Sequence, residues 1–154
     1  MMEKPLNKLK SSILKVQKIN FTIESNPEYG PELANGSGTV KVISTIPEKV
    51  IFDERGSVEL APELISVFQN TMFWDFTKSE EYIVLGHLRQ GENHPVELVH
   101  LVFKTDNLLI SADPHYCGDD IYYAEVELKQ EEIQVIWKVK GPKKDYIKKI
   151  SYFN

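Results

Sequence analysis

Apolar side chains recur along most of this chain at every second position, the period of a β-strand. The opening is the exception. Leu6, Leu9, Ile13 and Val16 stand at helical spacing and predict a short amphipathic helix. Alternation then takes over, with Ile19, Phe21 and Ile23 on one face and Lys18, Asn20, Thr22 and Glu24 on the other, as in a half-buried strand. From Asn26-Pro27 to Asn35-Gly36 the chain is rich in Pro, Gly, Asn and Glu; this longest irregular stretch is expected to be a mobile flap over one end of the fold. Val40, Val42 and Ile46 mark a strand that Pro47 should end.

Val50, Phe52, Glu54, Gly56, Val58 and Leu60 share the next face, opposite Lys49, Asp53, Arg55 and Glu59. Gly56 suggests a bulge or kink there. Pro62 to Phe68 reads as a helical turn between strands, after which Met72, Trp74 and Phe76 alternate again. Tyr82–Arg89 and Val96–Thr105 predict a hairpin around Gly91-Glu92-Asn93-His94-Pro95. Both faces of this hairpin are apolar, so one needs a cover outside the core, such as a helix or a second subunit. Leu108-Leu109-Ile110 follows a turn, Tyr122, Ala124, Val126 and Leu128 share a face, and so do Ile133, Val135, Trp137 and Val139. Asp145 to Phe153 closes the chain.

The sum is roughly ten short strands with no helix long enough for a parallel crossover. Sequential hairpins give an all-β, up-and-down antiparallel β-barrel directly, and closure removes bare strand edges. With 154 residues, residues 1–154 are expected to form a single domain with a sizeable core.

Composition narrows the partners. A net charge of -5 argues against nucleic acid, which needs a basic face. No apolar run approaches a membrane span. Residues Met1 to Lys8 have a positive character without an apolar stretch behind them, so a signal peptide is not expected. The single cysteine allows no internal disulfide and fits a reducing, cytoplasmic setting.

Candidate chemistry concentrates in Asp113-Pro114-His115-Tyr116-Cys117-Gly118-Asp119-Asp120-Ile121-Tyr122. Strand phase carried back from Tyr122 points Asp120 inward, and Glu54 is inward on its own strand. Carboxylates among Phe, Trp and Val must be paired or protonated. One reading makes Glu54, His115, Asp120 and Tyr122 a polar pocket. In the other, Asp120 caps the Cys117-Gly118-Asp119 turn and Glu54 bonds Tyr122 or the backbone. His115 and Cys117 lack a second ligand pair, so no metal site is expected; Cys117 then serves as a small buried filler. His87 and His100 would face each other if the hairpin turn centres on Asn93-His94, giving a pH-sensitive pair or a chance one. Lys138, Lys140, Lys143, Lys144, Lys148 and Lys149 read as a solvated face guarding strand edges.

His115-x-Cys117-x-x-Asp120-x-Tyr122, followed by Trp137-x-Val139-x-Gly141-Pro142-x-Lys144-Asp145-Tyr146, resembles the C-terminal signature of domain of unknown function 6314, a calycin-like family. Phe52-x-Glu54-x-Gly56-x-Val58 is similar to an upstream strand of that family, and Val102-Phe103 with Asp106-Asn107 to another strand and its turn. Where calycin-type barrels often carry Gly-x-Trp and a following Arg, this chain has Ser11-x-Ile13 and Gln17. Where the family usually has a Phe-His pair, it reads Leu108-Leu109-Ile110-Ser111. The resemblance implies a small lipocalin-like barrel and no particular activity.

The expected function is binding of a small, largely apolar molecule inside the barrel, without a cofactor. Phe52, Trp74, Phe76, Tyr122 and Trp137 would form the wall, with Glu54, Asp120 and Tyr122 orienting a polar end. The ligand-binding set is therefore Glu54, Trp74, His115, Asp120, Tyr122 and Trp137. The alternatives are an enzyme with His115 or Asp120 as catalytic acid/base, and a filled barrel that forms a homodimer through the 82–105 hairpin.

Overall fold

A computed structural model describes residues 4–46 and 48–154. Pro47, expected to end the second strand, and residues 1–3 lie outside the described residues. Helix α1 (Pro5–Leu14) forms where the spacing places it. Pro5 starts it, at a position where a missing N–H costs nothing. Leu9 and Ile13, one turn apart, are fully buried, and Val16 follows them into the core.

Among the described residues eleven strands follow: β1 (Lys18–Ser25), β2 (Leu33–Ile46), β3 (Lys49–Ala61), β4 (Leu64–Asp75), β5 (Ile83–His87), β6 (Val96–Thr105), β7 (Leu108–Ser111), β8 (His115–Cys117), β9 (Asp120–Lys129), β10 (Glu132–Gly141) and β11 (Lys144–Phe153). Every pairing is antiparallel. Ten of the strands close into a ring in up-and-down order, and β8 pairs only with β9. The ring closes where β1 meets β11, with Lys18 opposite Phe153 and Ser25 opposite Tyr146. The inward side chains of the ring, together with Leu9 and Ile13 of α1, form one apolar core. The helix thus covers one end of the barrel, and the turns at 62–63, 88–95 and 142–143 surround the other.

Several expectations need correction. The irregular stretch is shorter than its composition suggests, because Leu33 to Gly36 already pair with β1. The remaining loop is held at its ends, Ser25 N–H donating to the Glu32 carbonyl at 3.1 Å and Asn26 N–H to the Asp145 carbonyl at 2.9 Å. Pro62 to Phe68 is no helical turn. Pro62-Glu63 is a tight β3–β4 turn with Glu63 at φ 67, and the strand resumes at Leu64. Both faces of this ribbon are exposed at its tip, which erased the alternation that marks a strand.

Gly56 is not a bulge either, since pairing runs through it without a shift. It permits close approach: a Cβ there would lie 2.1 Å from the Ser37 carbonyl oxygen and 2.6 Å from the Gly38 Cα. Strand β3 shifts register further on, between Glu59 and Ala61, and another shift lies between Leu85 and Gly86. Opposite it, the neighbouring residues Leu98 and Val99 both enter the core. That irregularity is why the hairpin looked apolar on both faces. Its outer residues, Val84 and Leu88, are buried with Ile51 and Phe73 in a second cluster flanked by Ile43 and Tyr82. The chain itself buries these residues.

Candidate functional site

Period two carries Glu54 inward with Phe52, and the register sets it opposite Asn70 on β4. Ring curvature brings β11 across the lumen. Tyr152 Oη donates to Glu54 Oε2 at 2.6 Å, and Asn70 Nδ2 donates to Oε1 at 3.3 Å. Arg89 Nε in turn donates to Asn70 Oδ1 at 3.3 Å. Glu54 is 1% exposed. Burial pushes its carboxyl above the usual glutamate range, against the lowering effects of the Tyr152 bond and the Lys148 charge. Burial and the same carboxylate push the Tyr152 phenol well above its ordinary value.

Lys148 belongs to this interior. On β11 it shares the inward phase with Tyr146, Ile150 and Tyr152, and it is half-buried. Its Nζ sits 4.4 Å from the centroid of the Phe21 ring. Among the described residues it has no hydrogen bond and no ion pair. Burial pushes its ammonium pKa down, although the Glu54 charge opposes this. A cation–π contact compensates an ammonium only in part, and the Glu54 carboxyl supplies the opposite charge that acts on it.

Asn70, Arg89, Tyr122, Trp137, Tyr146 and Lys148 line a cavity of about 40 Å³ above the Glu54–Tyr152 pair, with Met72, Leu98, Val139 and Ile150 as its apolar wall. The Tyr122 and Trp137 rings meet edge-to-face at 6.3 Å. Burial raises the Tyr146 phenol, and the charges of Lys144 and Arg89 offset part of that. A larger groove of about 560 Å³ lies at the helix-covered end between Ser12, Lys15, Lys129, Glu132 and Asn154. Its charged side chains are mostly solvated. The buried charged groups, Glu54 and Lys148, gather at the smaller cavity, so the candidate site is there.

The rim explains the two C-terminal motifs together. Asp120 does not cap the Cys117-Gly118-Asp119 turn through its side chain; its Oδ2 pairs with Lys144 Nζ at 3.1 Å. Gly141 makes room for this, since a Cβ there would lie 1.9 Å from Asp120 Oδ1 and 3.3 Å from the Asp120 Cα. Gly141→Ala should therefore cost about 1–3 kcal/mol, read as a lower midpoint in urea unfolding. Asp120→Ala in the same background should recover part of the loss.

The six residues read from sequence as a binding set do not meet in one pocket. Tyr122 and Trp137 line the cavity, and Glu54 lies beneath it. Trp74 is packed deeper, 5.9 Å from Phe52 ring to ring, and its buried Nε1 has no hydrogen-bond partner among the described residues. Asp120 stands at the rim, neutralised by Lys144. His115 stands beside His100, ring to ring at 5.8 Å, and does not line this cavity. Cys117 is partly buried against the main core. No group of three metal-ligating side chains occurs among the described residues. His87 and His100 do not face each other: His87 pairs with Val96 and His100 with Val84. The pairing centres the hairpin turn near Gly91-Glu92 rather than Asn93-His94, and His100 instead stacks on Tyr82 at 4.2 Å.

Lys148 was misread with the tail lysines. Lys138, Lys140, Lys143 and Lys149 are indeed exposed, yet they guard no edge, because β10 and β11 are paired on both sides. The signal for Lys148 was present in Tyr146, Lys148, Ile150 and Tyr152 at every second position. Asn70 likewise keeps step with Met72 and Trp74. Arg89 lies in a loop, where no period could reveal it. No helix among the described residues is long and apolar enough to cross a membrane.

A family described as a family of unknown function (DUF6314) matches residues 18–154, which contain every strand and none of α1. A search among curated proteins gave no match.

Proposed function

We propose that this chain, which belongs to the DUF6314 family of unknown function, binds a small molecule whose anionic head enters the barrel and meets Lys148. The observation that carries this is the half-buried Lys148 ammonium, which lines the cavity with no hydrogen bond or ion pair among the described residues, the opposite charge acting on it being that of Glu54, a carboxyl whose own pKa burial raises. Arg89 adds a second positive charge at the mouth, and the tyrosine hydroxyls of Tyr122 and Tyr146 can donate to the same oxygens. Met72, Leu98, Trp137 and Val139 offer an apolar surface to the atoms next to the head.

Size limits the ligand. One water occupies about 30 Å³ of liquid, so a cavity of about 40 Å³ admits a carboxylate-sized group and not a whole apolar molecule. Phe52, Trp74 and Phe76, expected as ligand wall, pack in and against the core instead. The body of the ligand then extends out through the mouth. This shape accords with the calycin-like likeness of the sequence, and the lone Cys117 accords with a cytoplasmic setting.

Titration with straight-chain carboxylates from acetate to octanoate, followed by Trp fluorescence and calorimetry, tests the proposal. Binding is expected, and Lys148→Met should weaken it at least tenfold while the fold persists. Affinity should fall as pH rises through the lowered Lys148 pKa, because only the ammonium pairs with the head. Absence of binding across the series, or equal binding by Lys148→Met, would overturn the proposal.

A further inference from the structure

Both hydrogen-bond partners of Glu54 line the cavity, while Glu54 itself does not. Tyr152 holds its Oε2 at 2.6 Å and Asn70 its Oε1 at 3.3 Å, so the carboxyl lies one layer of side chains below the cavity floor. No acid is among the residues that line the cavity. The charged and titratable groups that face this carboxyl are Tyr152 and Lys148 on β11 and Arg89 in the loop after β5. Strand β4 contributes the neutral Asn70, and β2 sets Val40 opposite Glu54. Tyr122 of β9 and Tyr146 of β11 stand on the cavity wall. At the rim, Asp120 and Lys144 pair with each other.

We infer that the cavity takes up its anion together with one proton from solvent, held by Glu54 while the Tyr152 hydroxyl turns to the bound head; this rests on the reading of the cavity as an anion site. Glu54 and Lys148 act on each other as opposite charges. An anionic head beside Lys148 sets a second negative charge against that one ammonium. A like charge disfavours the ionised form of a carboxyl, and burial does the same. Arg89 is exposed and its charge is screened by solvent, so it relieves the repulsion only in part. A proton on Glu54 removes it. The same proton reverses a hydrogen bond. A carboxylate can only accept, so Tyr152 must donate to it, whereas a carboxylic acid can donate to Tyr152 Oη. The phenolic O–H is then released to bond an oxygen of the head. The consequence is regulation by pH: the site loads on the acid side and gives up its anion as pH rises.

Calorimetric titration of the wild-type chain with butyrate, over a series of pH values and in two buffers of different ionisation enthalpy, counts the protons taken up per ligand. The count should approach one between the Glu54 pKa values of the free and the loaded protein. Affinity should fall across that window by up to about tenfold per pH unit. Glu54→Gln should lose this uptake and bind more tightly than the wild type at the upper end of the window. Infrared difference spectra with isotope-labelled butyrate give a second reading: binding should bring up the carbonyl band of a protonated side chain in the wild type and not in Glu54→Gln. Butyrate binding without proton uptake would overturn the inference and leave the anion site standing. Equal uptake by Glu54→Gln would assign the proton to Lys148, with the same result. A wild-type chain that binds no butyrate at any pH would overturn both.

Discussion

Glu54→Ala should destabilise the barrel by about 2–4 kcal/mol, because the Tyr152 hydroxyl and the Asn70 amide each lose a buried acceptor. Glu54→Gln should behave differently. Its amide oxygen can still accept from Asn70, and Tyr152 can turn its hydroxyl to accept instead of donate, so the loss at acid pH should stay within about 1 kcal/mol. The pH dependence separates the two variants further. The folded state holds the Glu54 proton more tightly than the unfolded chain does. Its stabilising effect is thus complete below the ordinary glutamate pKa and is lost as pH rises through the raised folded value. Relative to wild type, Glu54→Gln should gain stability over that rise, and chemical denaturation at a series of pH values would measure it. A parallel pH dependence in wild type and Glu54→Gln would mean that the carboxyl is not the group responsible.

The second large effect is expected at the covered end. Ile13→Ala should cost about 2–5 kcal/mol, the range for emptying a buried branched site. Ile13 is fully buried, and Leu9 one turn earlier is equally so. Exposed Leu14 is the natural control: Leu14→Ala, at 52% exposure, should shift the melting temperature little. If the two changes were equal, α1 would not be sealing the core. Hydrogen exchange at Ile19 and Val40 in the Ile13→Ala protein would show whether the loss is local to that end.

Strand phase made much of this architecture readable in advance. Ile19 with Phe21, Tyr122 with Ala124 and Val126, and Ile133 with Val135 and Trp137 all face the core as their alternation requires. Glu54 was found by the same rule, as a carboxyl in step with aromatics. What could not be read depends on the third dimension. Tyr152 and Glu54 stand far apart in the chain and meet only because the ring closes. Arg89 follows a strand end and obeys no period. Lys148 was legible but was grouped with its lysine neighbours by composition, where alternation would have separated it from them. Pro62-Glu63 hid a hairpin because proline before a run of apolar residues also suits a helix start. His115 drew notice for its chemistry, yet β8 places it beside His100, and it does not line the cavity.

The seam between β1 and β11 governs the order in which this molecule can be made. Its first and final strands must find each other across nearly the whole polypeptide, a long-range contact of the kind that slows folding. On the ribosome, Glu54 emerges long before Tyr152 and Lys148, which reside on the last strand. Until β11 has emerged, the acid has neither its phenol nor the ammonium near it, and β1 has one open flank. The polar pocket is consequently a product of completion: it comes into being when the cylinder shuts, and a nascent chain halted before Lys144 has none.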